Sequence, residues 1–114
     1  ADLAKESDSA LETLSQLIDS YDYSISQQAI IRMDRVGSRA TFLLINMLRN
    51  YDKWSSTRAL STLARIADKR AIPHIIDLLA DGNYSYLHRE AVNTLEKLGG
   101  ELAYEVVNAW RGVP

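Results

Sequence analysis

Five cationic side chains recur at matched places along this 114-residue chain: Arg35, Arg58, Arg65, Arg89 and Lys97. Trp54 and Tyr86 stand 32 residues apart beside them, as do Ser61 and Asn93. Arginine and exposed aromatics are the residue types that dominate the energetics of protein interfaces, and they also suit nucleic acid. Their chemistry is recognition. A face built from these residues carries a local charge of +4, with Glu90 as its acid, inside a chain whose net charge is −2. It suits an acidic or mixed-charge segment of another protein, with nucleic acid as the weaker alternative.

Catalytic chemistry finds less to work with. The two histidines are His74 and His88. His88 is separated from Glu90 by Arg89, and no second repeat supplies the further ligands that a metal site needs. There is no cysteine, which excludes disulfides and thiolate metal sites. No nucleophile–base pair, Gly-rich phosphate loop or zinc spacing is present. The expectation is a non-enzymatic protein, with no catalytic residue, no metal and no cofactor. No apolar run approaches the roughly 20 residues that span a bilayer, and ADLAKESDSA has neither the basic end nor the apolar stretch of a signal peptide. A soluble, cytoplasmic chain is expected.

Charge is spread unevenly. Residues 1–37 hold three basic and seven acidic residues, net −4, whereas residues 38–68 hold five and two, net +3. Residues 69–100 balance and residues 101–114 add −1. An acidic first third beside a basic second one makes the total a poor guide to partners.

The elements that position these residues are repeats. Ala10, Ala40, Ala71 and Ala103 follow one another at 30, 31 and 32 residues, and Ala29, Ala59 and Ala91 at 30 and 32. Two helical stretches per period of this length predict an α-solenoid. One domain is expected, with repeats at about 9–37, 38–68 and 69–100 and a capping helix at 101–111. Ser9 with Glu12 has capping-box spacing for a first helix that starts there or as early as Asp2. That helix turns Leu11, Leu14, Leu17 and Ile18 inward, and Glu12, Ser15, Gln16 and Asp19 outward. The second helix is predicted from about Ser24 to Val36, stopped by Gly37. The next pair covers about 39–50 and 55–67. Asp68 and then Ser85 are expected to cap the helices of the third pair, with Pro73 in a first turn. The last helix, about 101–111, puts Leu102, Ala103, Val106, Val107 and Trp110 on one side, with Trp110 read as core.

The segment Arg70-Ala71-Ile72-Pro73-His74-Ile75-Ile76-Asp77-Leu78-Leu79, entered through Leu95-Glu96-Lys97-Leu98-Gly99 in the following unit, resembles the HEAT repeat. The short HEAT-like repeats of phycobilisome lyases are the nearest variety. The resemblance implies an all-α superhelix of about three and a half helix pairs, seven helices, whose second helices line a concave surface. On that surface the repeat offsets collect Arg35, Trp54, Arg58, Ser61, Arg65, Tyr86, Arg89, Asn93 and Lys97. It further implies a protein-interaction scaffold, alone or as a subunit of a larger assembly, or an accessory of bilin attachment. The Arg that usually opens the second helix of such repeats, pairing with Asp in a ladder, is replaced here by Ser26, Ser56 and His88. Without that ladder the joints between repeats are expected to be less rigid.

Overall fold

The computed structural model describes residues 8–18, 20–50 and 53–112. Among them are seven α-helices: α1 (Asp8–Leu17), α2 (Tyr23–Val36), α3 (Thr41–Asn50), α4 (Lys53–Ile66), α5 (Ile72–Ala80), α6 (His88–Leu98) and α7 (Glu101–Trp110). Short 3-10 segments, Gly37–Ala40, Lys69–Ala71 and Gly82–Leu87, lead into α3, α5 and α6. Helices pack in consecutive pairs, α1 on α2, α3 on α4 and α5 on α6, with α7 against α6. The second members form a layer, α2 on α4 and α4 on α6. The result is elongated, 48 × 26 × 20 Å.

The alanine series explains why the pairs approach closely. Ala40, Ala59, Ala71, Ala91 and Ala103 are fully buried and Ala29 nearly so, and a methyl group at a crossing keeps helices near the short end of packing distances. Larger residues fill the spaces between, including Leu44, Met47, Leu60, Leu63, Ile75, Leu78 and Leu95. No helix could bury its own stripe, so stacking supplies the core.

Helix ends also repeat. Gly37, Ala67 and Gly99 close the second helices with φ of 76°, 60° and 73°, and their amides bond Met33 O, Leu63 O and Leu95 O. That left-handed conformation is cheap for glycine and costly for a residue with a Cβ. Ala67 is the repeat that lacks the glycine. At the helix starts, Asp22 accepts from the amides of Ser24 and Ile25 at 2.9 and 3.2 Å.

Asp68 accepts from the Arg70 amide at 3.0 Å, from its Nε, and from the Thr41 hydroxyl at 2.8 Å. Arg70 reaches on to Ser38 O at 3.2 Å, which clasps one repeat to the next. The Arg70 side-chain bonds hold the Asp68 carboxyl well below the usual carboxylate range against the opposing effect of burial, helped by the Arg70 amide and Thr41.

Some sequence expectations are corrected. Ser9 lies inside α1 instead of ahead of it, so it does not begin a capping box. Ser15 is buried, donating to Glu12 O at 2.7 Å, while Leu17 is exposed. An earlier start at Asp2 and the outward placing of Asp19 fall outside the described residues. Ser85 does not cap α6. It sits within the 3-10 run, whose start is capped by Asp81 accepting from the Asn83 amide at 3.0 Å. Trp110 is 47 % exposed and Leu102 53 %, because α7 is the last described helix and its outer side is uncovered.

Ser26, Ser56 and His88 have a shared task. Ser26 Oγ donates to Ile18 O at 2.8 Å, and Ser56 Oγ lies 3.3 Å from Met47 O and Leu48 O. His88 Nε2 lies 2.8 Å from Leu78 O and 3.1 Å from Asp81 O; both are acceptors, so this nitrogen carries the proton. Each of the three ties the start of a second helix to the carbonyl end of the first, where orphan acceptors need donors. Links between repeats come from other residues, the Arg70 clasp among them.

Between the first helices lie open grooves, about 400 Å³ between α1 and α3 (Ser9, Leu11, Glu12, Arg39, Leu43) and about 260 Å³ between α3 and α5. The corresponding groove between α4 and α6 is about 120 Å³.

Candidate functional site

The layer of second helices turns one side to the core and the other to solvent. In α6, Leu87, Ala91, Leu95 and Leu98 are buried, whereas Tyr86, Arg89, Asn93 and Lys97 are exposed. In α4, Ala59, Leu60 and Leu63 are buried while Trp54, Ser61 and Arg65 are exposed, and Arg58 is half-buried. Arg35 is exposed on α2. The 100° spacing of helical residues thus sorts these faces as the pattern predicts.

The α4–α6 groove brings Ser61, Asn93 and Lys97 together with Thr57, Ala64 and Glu90. Its floor is Leu60 and Thr94, the latter bonding Glu90 O at 2.9 Å and Leu60 O at 3.4 Å. Lys97 and Glu90 make the groove amphoteric, able to take a donor and an acceptor of a bound segment. Arg35, Trp54, Arg58, Arg65, Tyr86 and Arg89 do not line it.

The arginines divide by what they touch. Arg58 Nη1 donates to Ile18 O at 2.5 Å and to Ser20 O at 3.3 Å, and its guanidinium lies 4.3 Å from the centre of the Trp54 ring. Its charge therefore closes the carbonyl end of α1. Arg65 pairs with Asp34 across the α2–α4 joint at 3.2 Å. Asp34 was missed when the face was read from repeat offsets, and it lowers the positive balance computed there. It sits beside Arg35 in sequence, so a wider arc on α2 would have included it.

Aromatic residues gather at the intra-repeat turns. Tyr21 and Tyr23 flank the first and are 108 % and 68 % exposed; Trp54 follows the second at 60 %; Tyr86 lies in the third at 44 %. Tyr84 and Tyr86 rings are 6.2 Å apart. Arg49, near the end of α3, lies 5.3 Å from the Tyr84 ring centre and 3.8 Å from Asp81. Of these, Tyr21, Arg49 and Tyr84 have no place in the offset scheme. The signal for them was the clustering of tyrosines where one helix hands over to the next.

His74 lines the α3–α5 groove with Asn46, Arg49 and Asp77. His88, besides its carbonyl bonds, meets Trp110 edge-on, ring centres 4.9 Å apart. Among the described residues no three His, Cys, Asp or Glu side chains converge as metal ligands, and no helix is long and apolar enough to cross a membrane.

Residues 57–81 match the family model described as PBS lyase HEAT-like repeat. That stretch runs from α4 through the Asp68–Arg70 clasp to the end of α5, a second helix followed by the next first helix. The HEAT-like resemblance of the sequence is thereby matched over these residues. No curated protein matches the chain.

Proposed function

We propose that the chain is a non-catalytic protein-interaction scaffold, and that the exposed side of α2, α4 and α6 grips an acidic or mixed-charge segment of a partner. The observation that supports this is the set Arg35, Arg89 and Lys97, exposed on stacked second helices and joined by Ser61, Asn93 and the Asp34-paired Arg65. Stacked helices stand about 8–10 Å apart, which gives an extended acidic segment a cation at successive steps. Arg58 contributes indirectly, by fixing Trp54 at the border. Electrostatic complementarity of this kind acts mainly on orientation and encounter rate.

The test is a charge reversal that spares Arg58: Arg35→Glu, Arg89→Glu and Lys97→Glu together. Recovery of the partner bound by the wild-type chain is expected to be lost while helicity and melting stay unchanged. Survival of binding in this variant, with loss on altering Tyr104, Asn108 and Arg111, would move the working surface to the end of the array. A salt series separates nucleic acid, whose binding falls steeply with log salt concentration.

A further inference from the structure

We propose that the edge formed by the three intra-repeat turns is a second docking surface, and that its occupant is a proline-rich segment in the polyproline II conformation. The inference does not rest on the acidic partner proposed above, although Trp54 and Tyr86 border both surfaces.

Continuity of the edge follows from bonds between turns. Arg58 carries Trp54 of the second turn against the carbonyls of Ile18 and Ser20 in the first. Tyr84 of the third turn lies over Arg49 at the end of α3, with its hydroxyl 3.5 Å from Arg49 O. The aromatic groups of three turns therefore adjoin one another, with four of them 44 to 108 % exposed.

Three features select the occupant. The first is spacing. Polyproline II rises about 3.1 Å per residue with three residues per turn, so every third ring recurs at roughly 9 Å. Stacked helices place equivalent turns about 8–10 Å apart, and prolines at i, i+3 and i+6 then meet successive turns. The second is hydrogen bonding. A prolyl backbone offers carbonyl acceptors without amide donors. The Trp54 indole N–H and the hydroxyls of Tyr21, Tyr23 and Tyr86 can donate. Among the described residues they have no hydrogen-bond partner in the fold.

The third is charge. Arg58 is committed to carbonyls and Arg49 faces Asp81, which leaves Lys53 as a cation on this edge among the described residues. One lysine does not make a track for a phosphate backbone, whereas aromatic surfaces with little charge are what proline-rich segments dock on.

The experiment uses a Trp110→Phe background. The chain has two tryptophans, so Trp54 becomes the sole reporter, and the phenyl ring keeps an edge contact to His88. An oligoproline of about twelve residues, four polyproline II turns, is titrated against Trp54 emission, with an oligothymidylate and a glycine–serine peptide alongside. The expected result is a saturable emission change with oligoproline, little altered by salt. Tyr23→Ser and Tyr86→Ser should each weaken it at least about fivefold, and Arg35→Glu with Arg89→Glu should leave it within about twofold. Circular dichroism confirms that each variant is folded. The proposal is overturned by an absence of change at the solubility limit of the peptide. It is equally overturned by binding that both tyrosine variants leave intact, or by oligothymidylate binding more tightly with steep salt dependence.

Discussion

Arg58→Ala removes a side chain that wheel geometry assigns to the partner face but that the fold uses as a staple. Its Nη1 donates to Ile18 O and Ser20 O, and a hydrogen bond from a charged donor is worth about 1.5–3 kcal/mol when well made. Stacking on the exposed Trp54 adds about 0.5–1 kcal/mol. Release of arginine rotamers offsets up to about 2 kcal/mol of this. Ile18 O keeps the Ser26 hydroxyl at 2.8 Å, so the carbonyl is not orphaned. The net expected loss is about 1–2 kcal/mol, read by urea denaturation followed by circular dichroism, with Arg89→Ala as the exposed control within about 0.5 kcal/mol. Ser26→Ala alone should cost about 1 kcal/mol. The double variant should exceed the sum of the singles by about 1 kcal/mol, because only then does Ile18 O lose both donors. If Arg58→Ala behaves like Arg89→Ala, or the pair is strictly additive, the staple contributes nothing and the residue returns to the partner face.

Ala67→Gly should raise stability by about 0.5–1 kcal/mol in the same assay, since Ala67 holds a φ of 60° at the site where the other repeats have Gly37 and Gly99; a loss would mean that its methyl packs usefully. Asp68 has its folded pKa depressed, so its stabilisation is complete above the ordinary aspartate value of 3.8 and drains away as pH falls from there toward the folded value. The stability gap between wild type and Asp68→Asn should accordingly be widest near neutrality and narrow in acid, and a gap that is flat with pH would refute the clasp. Leu95→Ala, fully buried, should cost about 2–5 kcal/mol, and Arg65→Ala, in an exposed ion pair, within about 0.5 kcal/mol; equal losses would invalidate the assignment of faces.

The period of the alanines carried most of the fold, because a methyl group at every crossing is a constraint that cannot drift without breaking the stack. Gly37 and Gly99 marked helix ends for a comparably local reason. What helical wheels could not contain was contact at long separation. Arg58 reaches carbonyls 38 and 40 residues away, and Arg65 finds Asp34 at 31. Both looked free for a partner when sorted by angle alone. Trp110 failed for another reason: an apolar residue on the inward side of a terminal helix is buried only if something follows to cover it. Ser26, Ser56 and His88 were noticed as departures from a pattern, yet what they do instead needed the carbonyl positions at the preceding helix end.

The unequal grooves have a mechanical consequence. Second helices touch directly along the array, whereas α5 meets α3 through the Lys69–Ala71 segment and the first-helix side keeps the larger openings. A beam built this way has its stiff flange on one side, with the neutral axis of bending drawn toward the α2–α4–α6 layer. Flexing then opens or closes the α1–α3–α5 side at low cost, while distances along the second-helix layer stay almost constant. A ligand laid along that layer would meet a ruler of fixed gauge even as the opposite side fans in and out.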